Sequence, residues 1–154
     1  MLIYYLDSSA LAKHYLIEPG SRWITKLITH TAPDRFVSTE LAIVEVVCAI
    51  TRAERERRIS VFLRNNLAAR SARETRSAVE LIGTSRRILG HASQLALRHP
   101  LRAYDAIHLA TALRILSETL MLGLPAPIFV SADANLLAAA RAEGLVVENP
   151  NEHE

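Results

Sequence analysis

Short apolar segments alternate with longer helical segments along this chain, and that alternation constrains its fold more than any other feature. A strand that is buried on both faces is typically a short apolar run, such as LIYYL over residues 2–6. Strands that alternate with helices need crossover connections, which produce a mainly parallel sheet with helices on both faces. We therefore predict an α/β fold with a five-stranded, mainly parallel sheet. The predicted strands are 2–6, 35–37, 79–82, 128–131 and 145–147.

The helical segments are bounded by residues that cap or break helices. Ser8 and Ser9, for example, are candidate N-caps of the first helix. No repeat or linker interrupts the pattern, so we expect residues 1–148 to form a single domain and 149–154 to be a flexible, frayed tail. The predicted helices are about 10–16, from 21 to the residue before Pro33, 38–58, 61–77, from Thr84 or Ser85 to about 99, 102–120 and 133–143.

The composition narrows the class of protein. A lone Cys48 cannot form an internal disulfide, which favours a reducing cytoplasm. The N-terminal MLIYYLDSSA has no basic leader and includes Asp7, so we do not expect a signal peptide. Glu45 interrupts the most apolar stretch, 41–50, so no membrane helix is expected. With 22% charged and 50% hydrophobic residues, the chain is not expected to be largely disordered.

The net charge of +2 conceals an uneven distribution. Residues 51–102 contain twelve arginines and four glutamates, a net charge of +8, whereas the rest of the chain carries −6. A basic segment of this kind is often a set of solvated helix faces. Arginine also suits forked contacts to phosphate, so a nucleic-acid partner stays open.

Four carboxylates occupy positions that suggest a site. Open parallel sheets bind ligands beyond the carboxyl ends of their strands, and Asp7 and Asp133 follow the first and fourth predicted strands. Asp105 lies in the first turn of the helix 102–120, and Glu45 lies inside an apolar helix. Helix capping and the helix dipole are sufficient explanations for the three aspartates taken singly.

Glu45 is harder to explain by local structure. Its neighbours one turn away are apolar, and an ionised, unpaired carboxylate there would cost several kcal/mol. It therefore needs a partner, either Arg52, which would make its role structural, or a bound cation.

Taken together, the four acids indicate a divalent-cation site. Oxygen ligands without a His/Cys cluster favour Mg²⁺ or Mn²⁺ over zinc. Carboxylates gathered at one edge would repel one another unless cations neutralised them. Two such ions can activate a water and stabilise the leaving oxygen in phosphodiester hydrolysis.

Four segments give the chain a resemblance to a known family. The main ones are YYLDSSALAKHYLIEPGS (4–21), LRAYDAIHLATAL (101–113) and IFVSADANLLAAARAEGL (128–145), and STELAIVEVVCAITRA (38–53) is weaker. The chain resembles the PIN-domain ribonucleases and, among them, the VapC toxins of bacterial toxin–antitoxin pairs. The Arg-rich residues 54–100 match that family in helical character but not by motif.

The resemblance implies a site and its cofactor. It implies that Mg²⁺ or Mn²⁺ is held by Asp7, Glu45, Asp105 and Asp133, with Asp7 and Asp105 as the principal ligands. It also implies that Ser9 and Ser131 lie beside them as hydroxyls able to hold a water or a phosphate oxygen. Glu40 competes with Glu45, which we prefer because it lies in the apolar helix interior. His108 is expected to be a packing residue rather than a general base.

The resemblance further implies a metal-dependent endoribonuclease that is the toxin of a toxin–antitoxin system in the cytoplasm. Its partners would be an RNA substrate, a cognate antitoxin and a second copy of the chain in a homodimer, without a membrane. Next to such a site, some arginines become candidate RNA contacts, and we select Arg52, Arg55 and Arg58.

Three alternatives stay open. The first is a non-catalytic PIN module that binds RNA or protein. The second is another α/β phosphoryl-transfer hydrolase, although the haloacid-dehalogenase pattern requires an aspartate where this chain has Ser9, and no Gly-rich phosphate loop is present. The third is a deoxyribonuclease, because two-metal chemistry does not itself distinguish RNA from DNA.

Overall fold

A five-stranded parallel sheet lies at the centre of the computed structural model, which describes residues 1–30 and 33–153. The strand order is β3-β2-β1-β4-β5, and each neighbouring pair is parallel. The predicted α/β class and the five-stranded sheet are therefore confirmed. The strands are β1 Ile3–Leu6, β2 Arg35–Thr39, β3 Glu80–Ile82, β4 Ile128–Val130 and β5 Val146–Glu148.

Helices cover both faces of this sheet, as predicted. Side chains alternate along β1, so Tyr5 lies in one hydrophobic core and Leu6 in the other. The hydrophobic core that contains Tyr5 is covered by the helices within residues 86–142. The core that contains Leu6 is covered by the helices within residues 8–78. Within the described residues, no helix combines the length and apolar character needed to cross a membrane. The helices are α1 Ser8–Ala12, α2 Ser21–His30, α3 Ala42–Arg55, α4 Val61–Ala78, α5 Arg86–Arg98, α6 Ala103–Met121, α7 Ala134–Ala142 and a 3-10 turn at Pro150–Glu152.

The boundary between β2 and α3 differs from the prediction. We expected a helix from residue 38, but Ser38 is in β2 and pairs with Leu81 of β3. Its buried hydroxyl donates to the Leu6 carbonyl at 2.6 Å, which ties β2 to β1. Helix α3 then begins at Ala42, because β2 continues to the carboxyl edge of the sheet before the chain turns.

The start of α1 also differs. Ser8 and Ser9 were candidate caps, and capping was also one explanation for Asp7. The N-cap is Asp7, whose side chain accepts a hydrogen bond from the Ala10 N–H. The helix is one turn long and ends at Ala12 rather than near residue 16. The predicted second helix is described as far as His30, and residues 31 and 32 lie outside the described part of the chain.

The C-terminal segment is packed where we expected a frayed tail. Pro150 is buried, and its carbonyl oxygen lies so close to Gly20 that a Cβ there would be 2.1 Å away. His153 stacks on Trp23 of α2, with ring centroids 4.2 Å apart. The sequence suggested fraying because it is short and polar, whereas contacts with the distant residues 20–23 hold it; Glu154 lies outside the described residues.

Candidate functional site

The four predicted acids lie at the ends of elements that meet at the carboxyl edge of the sheet. Asp7 directly follows β1, and its N–H donates to the Val130 carbonyl of β4 at 3.1 Å. Asp133 is the N-cap of α7, just beyond β4. Asp105 lies in the first turn of α6, and Glu45 lies in the first turn of α3.

Asp7 is buried, with 3% of its surface exposed, and both of its carboxylate oxygens are held. Oδ1 accepts from Ser9 Oγ at 2.7 Å and from the Ala10 N–H at 2.9 Å. Oδ2 accepts from Ser131 Oγ at 2.8 Å. Ser9 Oγ also lies 3.0 Å from Oδ2, but a serine hydroxyl has one proton, so Oδ2 keeps an acceptor position when Ser9 donates to Oδ1.

The environment of Asp7 shifts its acidity in opposite directions. Burial has the largest influence and raises the pKa of the Asp7 carboxyl. His108 lowers that pKa when it is protonated, and the hydrogen bonds from Ala10, Ser9 and Ser131 lower it as well. Asp7 is thus a desolvated carboxyl that its donors only partly stabilise in the charged form, and a cation would favour that form further.

Ser9 and Ser131 lie beside Asp7 and connect it to the segment after β4. Besides donating to Asp7, the Ser9 Oγ accepts from the Ala132 N–H at 2.9 Å, and the Ser131 Oγ accepts from the Asp133 N–H at 3.0 Å. Their hydroxyl protons are therefore directed at the carboxylate. Their role in holding a water or a phosphate oxygen stays a prediction.

Arg102 connects two of the acids and was not predicted to belong to the site. Its Nε donates to Asp105 Oδ2 at 3.1 Å, and its Nη2 lies 3.5 Å from Asp133 Oδ2. The hydrogen bond and charge of Asp105 raise the pKa of Arg102. The arginine side chain is 82% exposed, so a solvent-facing guanidinium supplies the positive charge between these two carboxylates.

Glu45 pairs with His108 and not with Arg52, which was one of the two partners we expected. His108 Nε2 lies 2.7 Å from Glu45 Oε2, and His108 Nδ1 lies 3.0 Å from the Tyr5 hydroxyl. His108 is buried, as predicted, but it bonds through both ring nitrogens and does more than fill space. Arg52 lies seven residues after Glu45, about 10 Å further along α3.

Glu40, the competing second acid, has a different environment. Its Oε1 accepts from the Thr84 N–H at 2.9 Å, and its carboxylate lies against Gly83. It therefore holds the loop between β3 and α5. We preferred Glu45 because it was expected in the helix interior, but it lies in the first turn of α3. The choice between Glu45 and Glu40 as the site acid stays a prediction.

The spacing of Arg102 and His108 in the sequence could have shown that both lie near Asp105. Arg102 and His108 lie three positions before and after Asp105, which places all three on one side of α6. The spacing indicates that they are neighbours, but not that they reach Asp133 and Glu45 on other elements. For Tyr5, the sequence predicts only a buried residue in a strand.

The arginines selected as RNA contacts lie away from the acids. Arg52 and Arg55 are in the last turn of α3, whereas Glu45 is in its first. Arg58 donates to Glu18 and Glu56, both at 3.1 Å. Their contact with RNA stays a prediction.

Two other arginines lie on the acid side of the sheet. Arg86 and Arg87 are exposed in the first turn of α5, four and five residues beyond the carboxyl end of β3. β3 is two strands from β1, about 10 Å at the usual strand spacing. Neither arginine forms an ion pair with any other residue that the structure describes.

A divalent cation such as Mg²⁺ requires several oxygen ligands around one position. Across residues 1–30 and 33–153, no three His, Cys, Asp or Glu side chains are grouped closely enough to hold a metal. The Arg102 guanidinium, however, already bridges Asp105 and Asp133 as a stand-in cation. The carboxylate oxygens of Asp7, Asp105 and Asp133 are of the chemical kind that Mg²⁺ and Mn²⁺ prefer. That they hold such an ion stays a prediction.

Sequence comparison identifies relatives of the chain. The sequence profile of the PIN domain family matches residues 4–141. Ribonuclease VapC46 of Mycobacterium tuberculosis is 30% identical over 151 residues, which cover 98% of this chain and 100% of that protein.

Solved structures share the fold. One is VapBC2 from Rickettsia felis bound to a DNA fragment from its promoter, with a TM-score of 0.59, 13% identity, and coverage of 96% of this chain and 98% of that one. Another is FitAB bound to an IR36 DNA fragment, with a TM-score of 0.63, 15% identity, and coverage of 99% and 98%. A toxin–antitoxin complex from Klebsiella pneumoniae has a TM-score of 0.55, 16% identity, and coverage of 96% and 97%. The chain therefore belongs to the PIN domain family, and within that family it is of the VapC type.

Proposed function

We propose that this protein is a divalent-metal-dependent endoribonuclease and the toxin of a toxin–antitoxin pair. The observation that carries this proposal is the chain of contacts that links the four acids. Ser131 links Asp7 to Asp133. Arg102 links Asp133 to Asp105. His108, which lies on the same helix as Asp105, pairs with Glu45. The name of its relative, ribonuclease VapC46, supports the choice of reaction.

Asp7, Asp105, Asp133 and Glu45 would hold Mg²⁺ or Mn²⁺, with Asp7 and Asp105 as the principal ligands. When bound, these ions would supply activation of water and stabilisation of the leaving oxygen. Ser9 and Ser131 keep the Asp7 carboxylate fixed for this role, since each donates to it. Arg102 is exposed and can leave the two aspartates to contact a phosphate of the substrate.

An RNA backbone would approach over the same edge of the sheet. Arg86 and Arg87 follow β3 on that edge and are exposed, which supports them as phosphate contacts. Arg52, Arg55 and Arg58 lie further from the acids along α3, so we expect their contribution to be smaller. Neutralising Arg86 and Arg87 should therefore weaken RNA binding more than neutralising Arg52 and Arg55.

We also propose the partners and the compartment. The solved relatives include a toxin–antitoxin complex, which supports a cognate antitoxin. A basic antitoxin side chain could take the position that Arg102 has between Asp105 and Asp133 and so exclude the metal. A homodimer and a cytoplasmic location complete the proposal.

Purified protein tests the reaction directly. The parent should cleave single-stranded or looped RNA in Mg²⁺ or Mn²⁺, lose activity in EDTA, and leave DNA of the same sequence largely intact. Asp7→Asn and Asp105→Asn should each reduce cleavage by at least about 100-fold, because each removes a metal ligand. Circular dichroism confirms that the variants are folded.

The alternative of a non-catalytic PIN module has a distinct outcome. Arg102 already neutralises part of the acidic cluster, as it would in a module that binds no metal. Such a protein would bind RNA or protein, take up no Mn²⁺ and cleave nothing. If either aspartate variant cleaves RNA as well as the parent, the assignment of the metal site is wrong.

A further inference from the structure

A hydrogen-bonded line of three side chains runs from the core to the candidate site. It consists of Tyr5 on β1, His108 on α6 and Glu45 on α3. The Tyr5 hydroxyl lies 3.0 Å from His108 Nδ1, and His108 Nε2 lies 2.7 Å from Glu45 Oε2. Tyr5 is fully buried and His108 is 1% exposed, whereas 18% of the Glu45 side chain is exposed. The line therefore begins in the dry core and ends at a carboxylate at the surface.

Packing alone does not explain the polar atoms in this line. Tyr5 stacks on Phe129, with ring centroids 5.3 Å apart, and a phenylalanine would make the same contact. A buried hydroxyl and a buried imidazole are costly in an apolar core unless they are hydrogen bonded. Here each is bonded, and the bonds lead to the one acid of the four that lies on α3.

The two contacts of the line can carry their protons in one consistent direction. The Tyr5 hydroxyl has one proton, which it can donate to His108 Nδ1 at 3.0 Å. A neutral histidine that accepts at Nδ1 carries its own proton on Nε2, which then donates to Glu45 Oε2. Within the described residues, the second oxygen of Glu45, Oε1, has no hydrogen-bond partner.

We propose that Tyr5 and His108 are positioning residues that hold Glu45 by its Oε2 atom and leave Oε1 as its metal-binding oxygen. This inference rests on the proposed function, because it assigns Glu45 to the metal site. Partners that orient metal-binding side chains in this way typically change metal affinity by about 10- to 100-fold when they are removed.

The test uses the full-length protein and the Mn²⁺ ion alone, measured by isothermal titration calorimetry. Tyr5→Phe keeps the ring and removes only the hydroxyl, and His108→Leu removes the donor to Glu45. Both should weaken Mn²⁺ binding by about tenfold. His108→Gln retains an N–H donor and should restore the affinity to within about threefold of the parent. In RNA cleavage at a fixed Mg²⁺ concentration, the two weakened variants should have a lower kcat and an unchanged KM.

Tyr15→Phe is the matched control. It also removes one buried tyrosine hydroxyl, which lies 3.2 Å from Thr75 Oγ1 of α4, on the side of the sheet where the other core lies. It should leave Mn²⁺ affinity and kcat unchanged. Tyr5→Phe is the most conservative variant, so it keeps the test decisive if a histidine variant does not fold.

Several results would overturn the inference. The first is that Tyr5→Phe binds Mn²⁺ as tightly as a parent protein that binds Mn²⁺ and cleaves RNA. That result would leave the proposed function intact. The second is a loss in Tyr15→Phe as large as that in Tyr5→Phe. The third is His108→Gln binding as weakly as His108→Leu. A parent that neither binds Mn²⁺ nor cleaves RNA would overturn the proposed function itself, and the inference with it.

Discussion

Asp7 has a structural role that leaves room for the proposed metal binding. Its carboxylate caps α1 through the Ala10 N–H and also accepts from Ser9 and Ser131. From the sequence, capping and metal binding were alternatives for this residue, but the geometry allows both, because a carboxylate has two oxygens and about four acceptor positions. A cap therefore does not argue against a ligand at the end of a strand.

The residues that could be predicted at the site are those whose position follows from chain order. Asp7 and Asp133 follow strands, and their meeting at one sheet edge is a consequence of parallel topology. The contact between His108 and Glu45 joins residues 63 positions apart, and it depends on how α3 and α6 pack, which no local pattern reports. The same holds for the reach of Arg102 to Asp133.

Arg102 gives a prediction at this scale. Arg102→Gln should strengthen Mn²⁺ binding by about two- to fivefold, because it removes a positive group that occupies the position between Asp105 and Asp133. Calorimetric Mn²⁺ titration of the free protein measures the change. Arg114→Gln, which removes the same charge from an exposed pair on α6, is the control. Equal or weaker binding in Arg102→Gln would contradict the stand-in role.

At the scale of elements, most helices and strands could be predicted to within a few residues. Ser60 and Ser85 cap α4 and α5, and such local signals mark helix starts well. The exceptions were segments held by distant partners. Ser38 belongs to β2 because strands lie on both sides of it, and Pro150 is buried because α2 lies beside it.

The packed C-terminal segment predicts the effect of a substitution at Gly20. Gly20 has a φ of +81°, and a Cβ there would meet the Pro150 carbonyl oxygen at 2.1 Å. Gly20→Ala should lower the free energy of unfolding by about 2–4 kcal/mol, from backbone strain and overpacking together. Urea denaturation measures it.

Gly144→Ala is the control for this prediction. Gly144 also has a positive φ, +91°, but a Cβ there would meet no atom within 4 Å. It should cost about 1 kcal/mol. Equal costs for the two variants would mean that Pro150 does not pack on Gly20.

A second prediction concerns the contact between the ends of α5 and α7. His99 and Arg98 hydrogen-bond to Glu143, and together they lower the pKa of its carboxyl, with the bond from His99 as the largest cause. A lowered folded pKa means that the ionised group stabilises the protein above its unfolded pKa, about 4.3, and that this contribution is lost as the pH falls through the folded value. Glu143→Gln should therefore reduce the free energy of unfolding by about 1 kcal/mol at pH 7, and the difference should be smaller at about pH 3 than at pH 7.

Urea titrations of the parent and Glu143→Gln at both pH values check this prediction. The control is Glu118→Gln, which breaks a pair with Arg114 that is about half exposed and should change stability by less than about 0.5 kcal/mol. A difference between parent and Glu143→Gln that persisted at low pH would show that the ionised carboxylate is not its source.

At the scale of the whole molecule, β1 organises both the cores and the site. Its side chains alternate between the two hydrophobic cores, and its carboxyl end presents Asp7 at the edge where the other acids meet. The alternation of strands and helices was sufficient to predict this architecture. The charge pattern did not predict which arginines face the site, because the partners of most arginines in residues 51–102 depend on where the fold places them. Arg58, Arg64 and Arg98 form ion pairs, whereas Arg86 and Arg87 face solvent on the acid side.

Sequencing of cellular RNA ends after brief expression tests most directly whether this acidic edge cleaves RNA. The parent should generate a discrete set of new RNA ends within minutes, and expression of folded Asp7→Asn at the same level should generate none of them. The positions of the ends would also identify the RNA that is cut. RNA cleavage by this acidic edge would be contradicted if the parent produced no new ends, or if Asp7→Asn produced the same ends as the parent.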